Sequence, residues 1–380
     1  MSMKTRILTL LITGGAAAAF AQGDPDKVRF FFFDQGSFTS GTGYVDPDRP
    51  QLLFKYDGGQ WFYPCAIRGH DRILLPTFPP SSRNALIATY PGPGDDPLRP
   101  RYLFIQNGSR GSRSVFSILT DIEAIYLDGL VKPWHFTQNC LTEDAIRDRW
   151  THLTAAGMPK MMVNYDAVSG RAEVFDVVNL GVVSRRSMKA GFTQVANMPA
   201  GLFFFNPDRL DIRSGLRGGY FESWANVGSS TWTLNASGTS AALLGATHLV
   251  RVRVNGTTVV VNPNSDILLA YHSGTGAASL WTLTPGTANP LRQVPGSSVS
   301  LPAGYTVVDS VGGTILFYNR LTTDYALGSV TRAFVGGGLR QPVLTINRNV
   351  PASVGVLASW SHIIPVLGCI QSHVMSEPCQ

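Results

Sequence analysis

The stretch WTHLTAAGMPKMMVNYDAVSG, residues 150–170, contains the parts of a unit that recurs along the chain. It begins with an aromatic residue and Thr-His-Leu, and after a short loop an apolar run leads to Asp166. A turn that closes at Gly170 follows, and a segment rich in β-forming residues comes after it. Short strands separated by regular turn signals predict an all-β fold.

Anchors of this kind recur, and an apolar run closed by Asp, Asn or His follows most of them. From residue 150 on, the anchors lie 42, 54, 59 and 55 residues apart. A period of about 50 residues is typical of the blades of a β-propeller. The anchors begin at Tyr44, Trp150, Phe192, Ala246, Tyr305 and Trp360, and the runs end at Asp34, Asp57, Asn107, Asp166, Asn206, His272 and Asn319.

The repeat count favours seven blades, with six as the close alternative. Seven runs are visible, and a seventh anchor would lie near residues 87–94, within the Pro-rich loop 76–100. Trp360 begins a unit that has no run behind it, whereas the run RFFFFD has no anchor before it. We therefore predict that the strand at residues 29–34 closes the ring by pairing with the C-terminal unit. Four consecutive Phe residues indicate a strand that is buried on both faces.

Composition and the N-terminus indicate an exported β protein. Of the 380 residues only 15% are charged, while 39 are Gly and 24 are Pro, which suits a turn-rich β fold. Lys4 and Arg6 precede a short apolar stretch that ends in Ala-Phe-Ala before Gln22, the pattern of a secretory signal. We predict a signal peptide at 1–21 and a single propeller domain at 22–380. The mature chain is expected to be extracellular or periplasmic, without a membrane span.

Charge and cysteine content narrow the classes of partner and cofactor. The net charge is +6, but the arginines are scattered and are not interleaved with aromatic residues, so nucleic acid is not an expected partner. Export permits disulfides, and four cysteines allow three connectivities. The simplest of these joins Cys65 to Cys140 and Cys369 to Cys379. The chain has no Cys-x-x-Cys and no Cys/His cluster, so no zinc site is expected.

At WTHL…MMVNYDAVSG and YTVV…TILFYNRLTT the sequence resembles the FG-GAP/VCBS-like propeller repeats of secreted bacterial proteins. The resemblance extends over residues 29–366 and implies an extracellular binding or adhesion module. Many repeats of that kind carry an acidic calcium loop between anchor and run, where this chain has AAGMPKMM and DSVGGT. Calcium needs several oxygen ligands, so we predict no cofactor and keep calcium as the alternative.

Three acids at the ends of runs are the candidate catalytic residues: Asp34, Asp57 and Asp166. If they converged, they would supply the carboxylates for acid–base or glycosidase chemistry. The alternative is that Asp and Asn start turns by bonding their own backbone, and we favour it because the position repeats in every unit. The sequence has no Gly-x-Ser-x-Gly, His-Glu-x-x-His or P-loop motif, so a function without catalysis is favoured.

Two Trp-x-His pairs and a long loop are the candidate binding elements. Each pair places its two side chains on one face of a strand, where an aromatic ring and a polar partner would suit a sugar. Alternatively, the Trp packs between blades and the His makes a local hydrogen bond. Long loops on rigid scaffolds often carry binding function. These candidates are Trp150, His152, Trp360 and His362 in the pairs, and Asp95 and Asp96 in the loop.

The leading hypothesis from the sequence is a secreted or periplasmic propeller that binds a glycan or an extracellular protein through one face of its ring. The first alternative is a propeller glycoside hydrolase. The second alternative is a structural component of an extracellular assembly.

Overall fold

The chain forms antiparallel β-sheets throughout the part that its structure, a computed structural model, describes. Up to residue 142 the description is mostly of backbone, and from residue 150 on it includes most side chains. The described residues are 28–34, 39–45, 52–55, 85–90, 102–107, 113–119, 135–142, 150–156, 161–176, 181–198, 201–208, 210–211, 214–229, 231–254, 266–311, 314–331, 334–335, 338–339, 341–347 and 360–366.

The strands are short, with lengths of two to eight residues. The first eleven are β1 (Val28–Asp34), β2 (Thr39–Val45), β3 (Leu52–Lys55), β4 (Ala85–Tyr90), β5 (Tyr102–Asn107), β6 (Arg113–Leu119), β7 (His135–Thr142), β8 (His152–Ala155), β9 (Met161–Tyr165), β10 (Arg171–Asp176) and β11 (Val182–Ser187). The next nine are β12 (Gln194–Met198), β13 (Gly201–Phe205), β14 (Leu210–Asp211), β15 (Leu216–Arg217), β16 (Tyr220–Ala225), β17 (Thr233–Thr239), β18 (His248–Arg253), β19 (Asp266–Tyr271) and β20 (Ala277–Leu283). The last nine are β21 (Leu291–Gln293), β22 (Val299–Ser300), β23 (Val307–Val311), β24 (Thr314–Tyr318), β25 (Tyr325–Thr331), β26 (Phe334–Val335), β27 (Gly338–Leu339), β28 (Val343–Asn347) and β29 (His362–Val366).

Helix is confined, within these residues, to a 3₁₀ turn at Ala241–Leu243. No helix in the described part of the chain has both the length and the apolar character needed to cross a bilayer.

The described strands form six antiparallel sheets of four or five strands, which we call blades 1 to 6. Two short hairpins, β14–β15 and β26–β27, lie in loops of blades 4 and 6. The strand orders are β29-β1-β2-β3 in blade 1, β4-β5-β6-β7 in blade 2, β8-β9-β10-β11 in blade 3, β12-β13-β16-β17 in blade 4, β18-β19-β20-β21 with β22 on β20 in blade 5, and β23-β24-β25-β28 in blade 6.

The first strands of successive blades contact one another in a cyclic order. β4 contacts β8, β8 contacts β12, β12 contacts β18, and β18 contacts β23. β23 in turn contacts β29, and β29 contacts β4. Four-stranded antiparallel sheets arranged around a common centre are the architecture of a β-propeller.

The predicted pairing of the two ends of the chain is present. β1 pairs with β29 on one side, where Phe30 lies opposite Pro365 and Phe32 lies opposite Ile363. On its other side β1 pairs with β2 over its whole length, from Val28 to Asp34. The N-terminal strand is therefore an inner strand of blade 1, held between the C-terminal strand and the rest of that blade.

The described residues form six blades, the number given as the alternative to seven. Tyr44 is not an anchor, because it lies at the end of β2, and the run that follows it forms β3 in the same sheet. The unit that was counted separately thus supplies the two outer strands of blade 1. The anchor that was obscured by the Pro-rich loop corresponds to β4, the first strand of blade 2.

From Trp150 on, the sequence repeat follows the structural repeat. Each anchor directly precedes a first strand, and each apolar run forms a second strand. The Thr after the anchor explains part of the pattern: Thr151 Oγ donates to the Tyr165 carbonyl (3.0 Å) and accepts from the Ala167 amide (2.8 Å). Thr247 makes the equivalent two bonds in blade 5. The hydroxyl thereby holds the start of the first strand to the end of the second.

The core lies between the blades. Successive residues of the second strands point to opposite faces, so Phe203 packs toward blade 5 while Phe204 packs toward blade 3. Both side chains are fully buried, as expected of a strand that is covered on both faces. Apolar clusters fill the junctions between blades 3 and 4, between blades 4 and 5, and between blades 5 and 6.

Side chains of the first strands also bond neighbouring blades together. His152 Nε2 donates to the Thr193 carbonyl oxygen (3.0 Å), and His248 Nε2 donates to the Thr306 carbonyl oxygen (3.1 Å). Gln194 occupies the same repeat position in blade 4, and its Nε2 donates to the Ala246 carbonyl (2.9 Å). We call these three contacts the junction bonds.

Several predicted features fall on residues that are not described. Cys140 lies in β7, whereas Cys65, Cys369 and Cys379 are outside the described residues, as are the signal peptide and Asp57. Asp95 and Asp96 of the Pro-rich loop are also outside them.

Candidate ligand-binding site

The carboxylate of Asp166 is engaged in a turn. It accepts hydrogen bonds from the Val168 amide (3.0 Å), the Ser169 amide (3.2 Å) and the Ser169 hydroxyl. Asn319, at the same position in blade 6, accepts from two amides of its own turn. These contacts support the turn interpretation of the residues that end the runs. Asp34 ends β1 opposite Thr39, two blades away from Asp166, so these two candidate acids belong to separate blades.

The described strands nearest the centre of the ring contain few acidic residues. Among the six described first strands, β4, β8, β12, β18, β23 and β29, the single acidic residue is Asp309. Glycoside hydrolysis commonly needs two carboxyl groups on opposite sides of the bond that breaks. These strands therefore do not supply such a pair.

The carboxyl group of Asp309 is unusual because its pKa is raised. Its carboxylate accepts the Ser310 amide (2.7 Å), and burial raises the pKa of this carboxyl from 3.8 to about 7. Between these two values the unfolded chain is ionised while the folded chain keeps the proton. The stability contributed by the protonated group is therefore lost as the pH rises from about 4 to 7.

Replacing Asp309 with Asn should stabilise the protein at pH 8, because the neutral amide removes the cost of burying a charge. We expect a gain on the order of 2 kcal/mol in the free energy of unfolding at pH 8, shrinking toward pH 4. Urea unfolding of both proteins between pH 5 and 8 measures this difference. The histidines are common to both, so their titration cancels. If the difference in the free energy of unfolding between the two proteins did not change with pH, Asp309 would have an ordinary pKa, contrary to this prediction.

The Trp-x-His pairs are built into the junctions between blades. Trp150 is 2% exposed and Trp360 is 1% exposed, so neither ring is an open platform for a sugar. His152 makes a junction bond, and burial lowers the pKa of His152, although the Thr193 carbonyl and the charge of Asp166 act in the opposite direction. Trp150 nevertheless borders a cavity, and this cavity is the candidate site.

The cavity, about 270 Å³ in volume, lies on the face of blade 3 that is turned toward blade 2. It opens near the end of the blade where the second and third strands join, since Arg171 begins β10 and pairs with Ser187 at the end of β11. We call this end of the ring the turn face, and the cavity the Trp150 pocket. The pocket is lined by Trp150, Arg171, Ala172, Glu173, Arg185, Arg186 and Ser187.

The pocket is positively charged, with three arginines and one carboxylate. The guanidinium of Arg171 lies 5.7 Å from the centre of the Trp150 ring, within the range of a cation–π contact. Arg185 Nε lies 3.0 Å from Glu173 Oε2, and Glu173 is buried while Arg185 is 65% exposed. Arg186 is held from the other side, because its guanidinium lies 4.2 Å from the centre of the Trp224 ring. The guanidinium of Arg186 is thus held against blade 4, whereas Arg171 lies against Trp150 and Arg185 against Glu173.

Two buried polar side chains on this face of blade 3 have unused hydrogen-bonding groups. Trp150 Nε1 makes no hydrogen bond, and neither does the amide nitrogen or the amide oxygen of Asn164. Asn164 is fully buried and lies opposite Glu173 in the β9–β10 ladder. A buried polar group without a partner costs about 1–3 kcal/mol, so native proteins rarely retain one without a reason.

The equivalent location in blade 4 contains a carboxylate that has several polar partners. There Glu222 occupies the position of Glu173, and its carboxylate accepts the Tyr220 hydroxyl (2.9 Å) and Trp224 Nε1 (2.9 Å). Lys189 Nζ lies 3.8 Å from the same carboxylate. Phe192, which lacks a ring N–H, occupies the anchor position and stacks on Tyr220. At this position blade 4 thus has a carboxylate that accepts an indole N–H, although Asn197 Oδ1 and Ser223 Oγ elsewhere in the blade make no hydrogen bond.

Asn164 is the clearest departure of blade 3 from the repeat. In each blade from 3 to 6 the next-to-last residue of the second strand faces the preceding blade. That residue is apolar in the other three blades, where it is Phe204, Ala270 and Phe317. A polar residue at a position that the repeat keeps apolar indicates a local requirement other than packing.

The sequence pattern indicated Trp150 but none of the other residues that line the pocket. Arg171, Glu173 and Arg185 are brought together by the pairing of β10 with β11, and the repeat alone does not show this register. Asn164 had a visible signal, because aligning the runs on their final residue shows an apolar residue at this position in five of the seven, with Lys55 and Asn164 as the polar exceptions. No group of three or more His, Cys, Asp or Glu side chains lies close enough to hold a metal ion within the described residues.

Comparison with known proteins does not assign this chain to a family. No protein-family model matches the chain, and no curated protein matches it. A protein from Lactobacillus plantarum of known structure is similar at 11% identity over 83% of this chain and 81% of its own, with a TM-score of 0.44. The hydrazine synthase of Kuenenia stuttgartiensis is 11% identical over 79% and 75%, with a TM-score of 0.39. A chain of a nidogen/laminin complex is 10% identical over 83% and 93%, with a TM-score of 0.43.

At these identities and TM-scores the likenesses carry no argument about function. The propeller assignment rests on the strand order and the cyclic contacts of the chain itself. The resemblance to FG-GAP/VCBS-like repeats stays a prediction.

Proposed function

We propose that this protein is a secreted or periplasmic β-propeller that binds a glycan, without catalysis, through the Trp150 pocket at its turn face. In this proposal residues 1–21 direct export and residues 22–380 form the single propeller domain. The observation that carries the proposal is the cavity bordered by Trp150, whose indole N–H makes no hydrogen bond, and by Glu173 and Arg185.

The chemistry of the pocket suits sugar hydroxyls. The indole N–H of Trp150 and the guanidinium of Arg185 are donors, whereas the carboxylate of Glu173 is an acceptor. A hydroxyl group donates and accepts, so it complements both. The volume of about 270 Å³ is at the lower end of the range of small-ligand pockets, roughly 300–1,000 Å³. A cavity of this size fits one sugar unit better than it fits a protein partner, which needs about 800 Å² of surface.

Support for binding without turnover comes from the acids of the pocket. Among the described residues that line the pocket, Glu173 is the one carboxylate, and Arg185 holds it in an ion pair at 3.0 Å. Hydrolysis of a glycosidic bond commonly uses two carboxyl groups, one of them held protonated or poised as a nucleophile. The lining residues do not provide that arrangement.

The proposal is tested by screening the intact protein on a glycan array and then titrating the best oligosaccharide by calorimetry. Replacing Trp150 with Phe removes the indole N–H while keeping an aromatic anchor. We expect this change to weaken binding about 3- to 10-fold, the effect of one lost hydrogen bond.

The matched control is Trp360→Phe, which makes the same change at the anchor of blade 1. Equal binding by both variants and the original protein would contradict the placement of the site. Absence of binding to any glycan would contradict the function. Release of shorter products during the titration would favour the glycoside hydrolase alternative.

A further inference from the structure

We propose that blade 5 is an acid-sensitive element of the ring, whose contacts with blades 4 and 6 loosen when His248 and His272 take up protons. Both histidines lie at the turn-face end of this blade, because His248 pairs with the last residue of β19 and His272 follows that residue. Each of them holds a connection to a different neighbouring blade. This switch lies in the scaffold and is independent of the Trp150 pocket.

His248 holds the junction with blade 6. Its Nε2 makes the junction bond to the Thr306 carbonyl oxygen (3.1 Å), and its Nδ1 lies 2.9 Å from Thr247 Oγ. Its ring also packs against Tyr271, with 5.9 Å between the ring centres. The Tyr271 hydroxyl accepts the amide of Tyr305 (3.2 Å), so the same corner holds the start of blade 6. Both ring nitrogens of His248 are therefore occupied by uncharged groups of the protein.

His272 holds the junction with blade 4. Its side chain is hydrogen-bonded to the main chain of Gly245, in the connection that leads into blade 5. The Gly245 amide donates to the Pro207 carbonyl of blade 4 (2.9 Å), and the next residue, Ala246, accepts the junction bond from Gln194. The two histidines therefore act on opposite sides of one blade.

The other titratable groups of these corners, among the described residues, offer little compensation for added positive charge. On blade 5 the group is Tyr271, which is uncharged because burial raises its pKa further. On blade 6 they include Arg320, a cation whose amide donates to Thr306 Oγ (3.1 Å) beside the junction bond. The carboxylates of the adjoining turns, Asp208 in blade 4 and Asp324 in blade 6, are exposed, so solvent screens their attraction.

The residue that follows the second strand distinguishes blade 5 from blade 3. In blade 3 it is Asp166, whose charge favours the protonated form of His152. In blade 5 it is His272, so this end of the blade has a second imidazole in place of a carboxylate. Two protonated imidazoles at the same end of one blade would repel each other.

Burial opposes the protonation of both histidines of blade 5. It lowers the pKa of His248 and of His272 from the ordinary value of 6.5, although the hydrogen bonds to Thr306 and Gly245 act in the opposite direction. The folded chain therefore binds these protons less readily than the unfolded chain does. The stability that the neutral imidazoles contribute is present above about pH 6.5 and is lost as the pH falls below that value.

The test is amide hydrogen exchange of the full mature chain, followed by peptide mass spectrometry at pH 7.5 and pH 5.5 and corrected for the intrinsic exchange rates. Residues 243–250 and 303–308, at the two sides of blade 5, should lose about 3- to 10-fold in protection at pH 5.5, since a tenfold change corresponds to a difference of one pKa unit. Residues 220–225, which form β16 in blade 4, should change by less than about 2-fold.

A double variant, His248→Gln with His272→Asn, should abolish this response to pH. Gln keeps a donor for the carbonyl of blade 6, as the Gln at the equivalent position of blade 4 does for blade 5, and Asn is the residue that follows the second strand in blades 4 and 6. Neither side chain titrates, while Asp309 is common to all the proteins compared. His152→Gln in blade 3 is the matched control and should leave the response of blade 5 intact.

His272→Asp is a second variant, which decides the matter if the double variant does not fold. Asp occupies this position in blade 3, and its carboxylate should favour the protonation of His248. The loss of protection at residues 303–308 should then shrink to about 2-fold or less.

Three results would overturn the proposal. The first is protection at the two sides of blade 5 that does not change between pH 7.5 and pH 5.5. The second is a loss in the double variant, or in His272→Asp, that equals the loss in the original protein. The third is an equal loss in β16, which would show that acid acts on the whole ring and not on blade 5.

Discussion

A chain that lacks residues 28–34 is expected to lose its folded monomer. These residues form β1, which pairs with β29 on one side and β2 on the other. Their removal separates β29 from β2 and β3, leaves β29 without any strand partner in blade 1, and exposes the unpaired backbone of both edges. We expect the cooperative thermal transition to disappear and the protein to elute as aggregates in size-exclusion chromatography.

Two companion chains make this prediction specific. Deletion of residues 22–27, which precede β1, should leave the thermal midpoint within about 2 °C of the mature protein, since every described strand pair is kept. A circular permutant that begins at Ala85 and carries residues 28–55 behind residue 366, joined by a short Gly-rich linker that forms the turn, should fold, because it restores the same strand pairs. If the truncated chain kept the midpoint of the mature protein, closure of the ring by β1 would be wrong.

Replacement of Gly276 with Ala should cost about 3–5 kcal/mol in the free energy of unfolding. Gly276 has a φ of +75°, in the left-handed region that L-residues with a Cβ disfavour. A Cβ at this position would lie 1.9 Å from the Leu301 carbonyl oxygen, and backbone cannot move aside as a flexible side chain can. The Leu301 amide donates to the Gly276 carbonyl (2.8 Å), so the clash would also disturb the bond that holds the next connection.

Gly274 provides the matched control for this prediction because it belongs to the same turn. No atom lies within 4 Å of a Cβ built at Gly274, and its φ is not positive. Gly274→Ala should therefore change stability by less than about 0.5 kcal/mol. Urea unfolding at constant pH measures both variants. If both variants lost equal stability, the loss would come from any Cβ in this turn and not from the geometry at Gly276.

The parts of the fold that could be predicted from sequence are those with local causes. Apolar runs closed by Asp, Asn or His became second strands, because strand burial and turn chemistry act within a few residues. The place of Tyr44 was not predicted, because it carries the aromatic pattern of an anchor but lies at the end of β2. Only the pairing of β2 with β1 and β3 reveals its place, and strand pairing is not a local property.

In the candidate site, too, residues with a local cause could be predicted from the sequence and residues that depend on strand pairing could not. Trp150 stood out because it begins a repeat, but its burial and its contact with Arg171 depend on how two strands are placed side by side. Arg185 and Glu173 are twelve residues apart in sequence and meet through an antiparallel register. The sequence could have identified Asn164, because the corresponding residues of blades 4 to 6 are apolar.

The junction bonds have a consequence for how this chain tolerates change. In each of the three, a side chain of one blade donates to a main-chain carbonyl of the next blade. Every residue type provides that carbonyl, so the accepting blade can be substituted at that position without losing the contact. Neighbouring units are therefore free to diverge from one another while their alignment persists. Blade 3 could thus acquire Asn164 and its arginines without losing its alignment with the neighbouring blades. The sequences of the repeats could diverge until they resemble each other only at their hydroxyl, imidazole and turn positions.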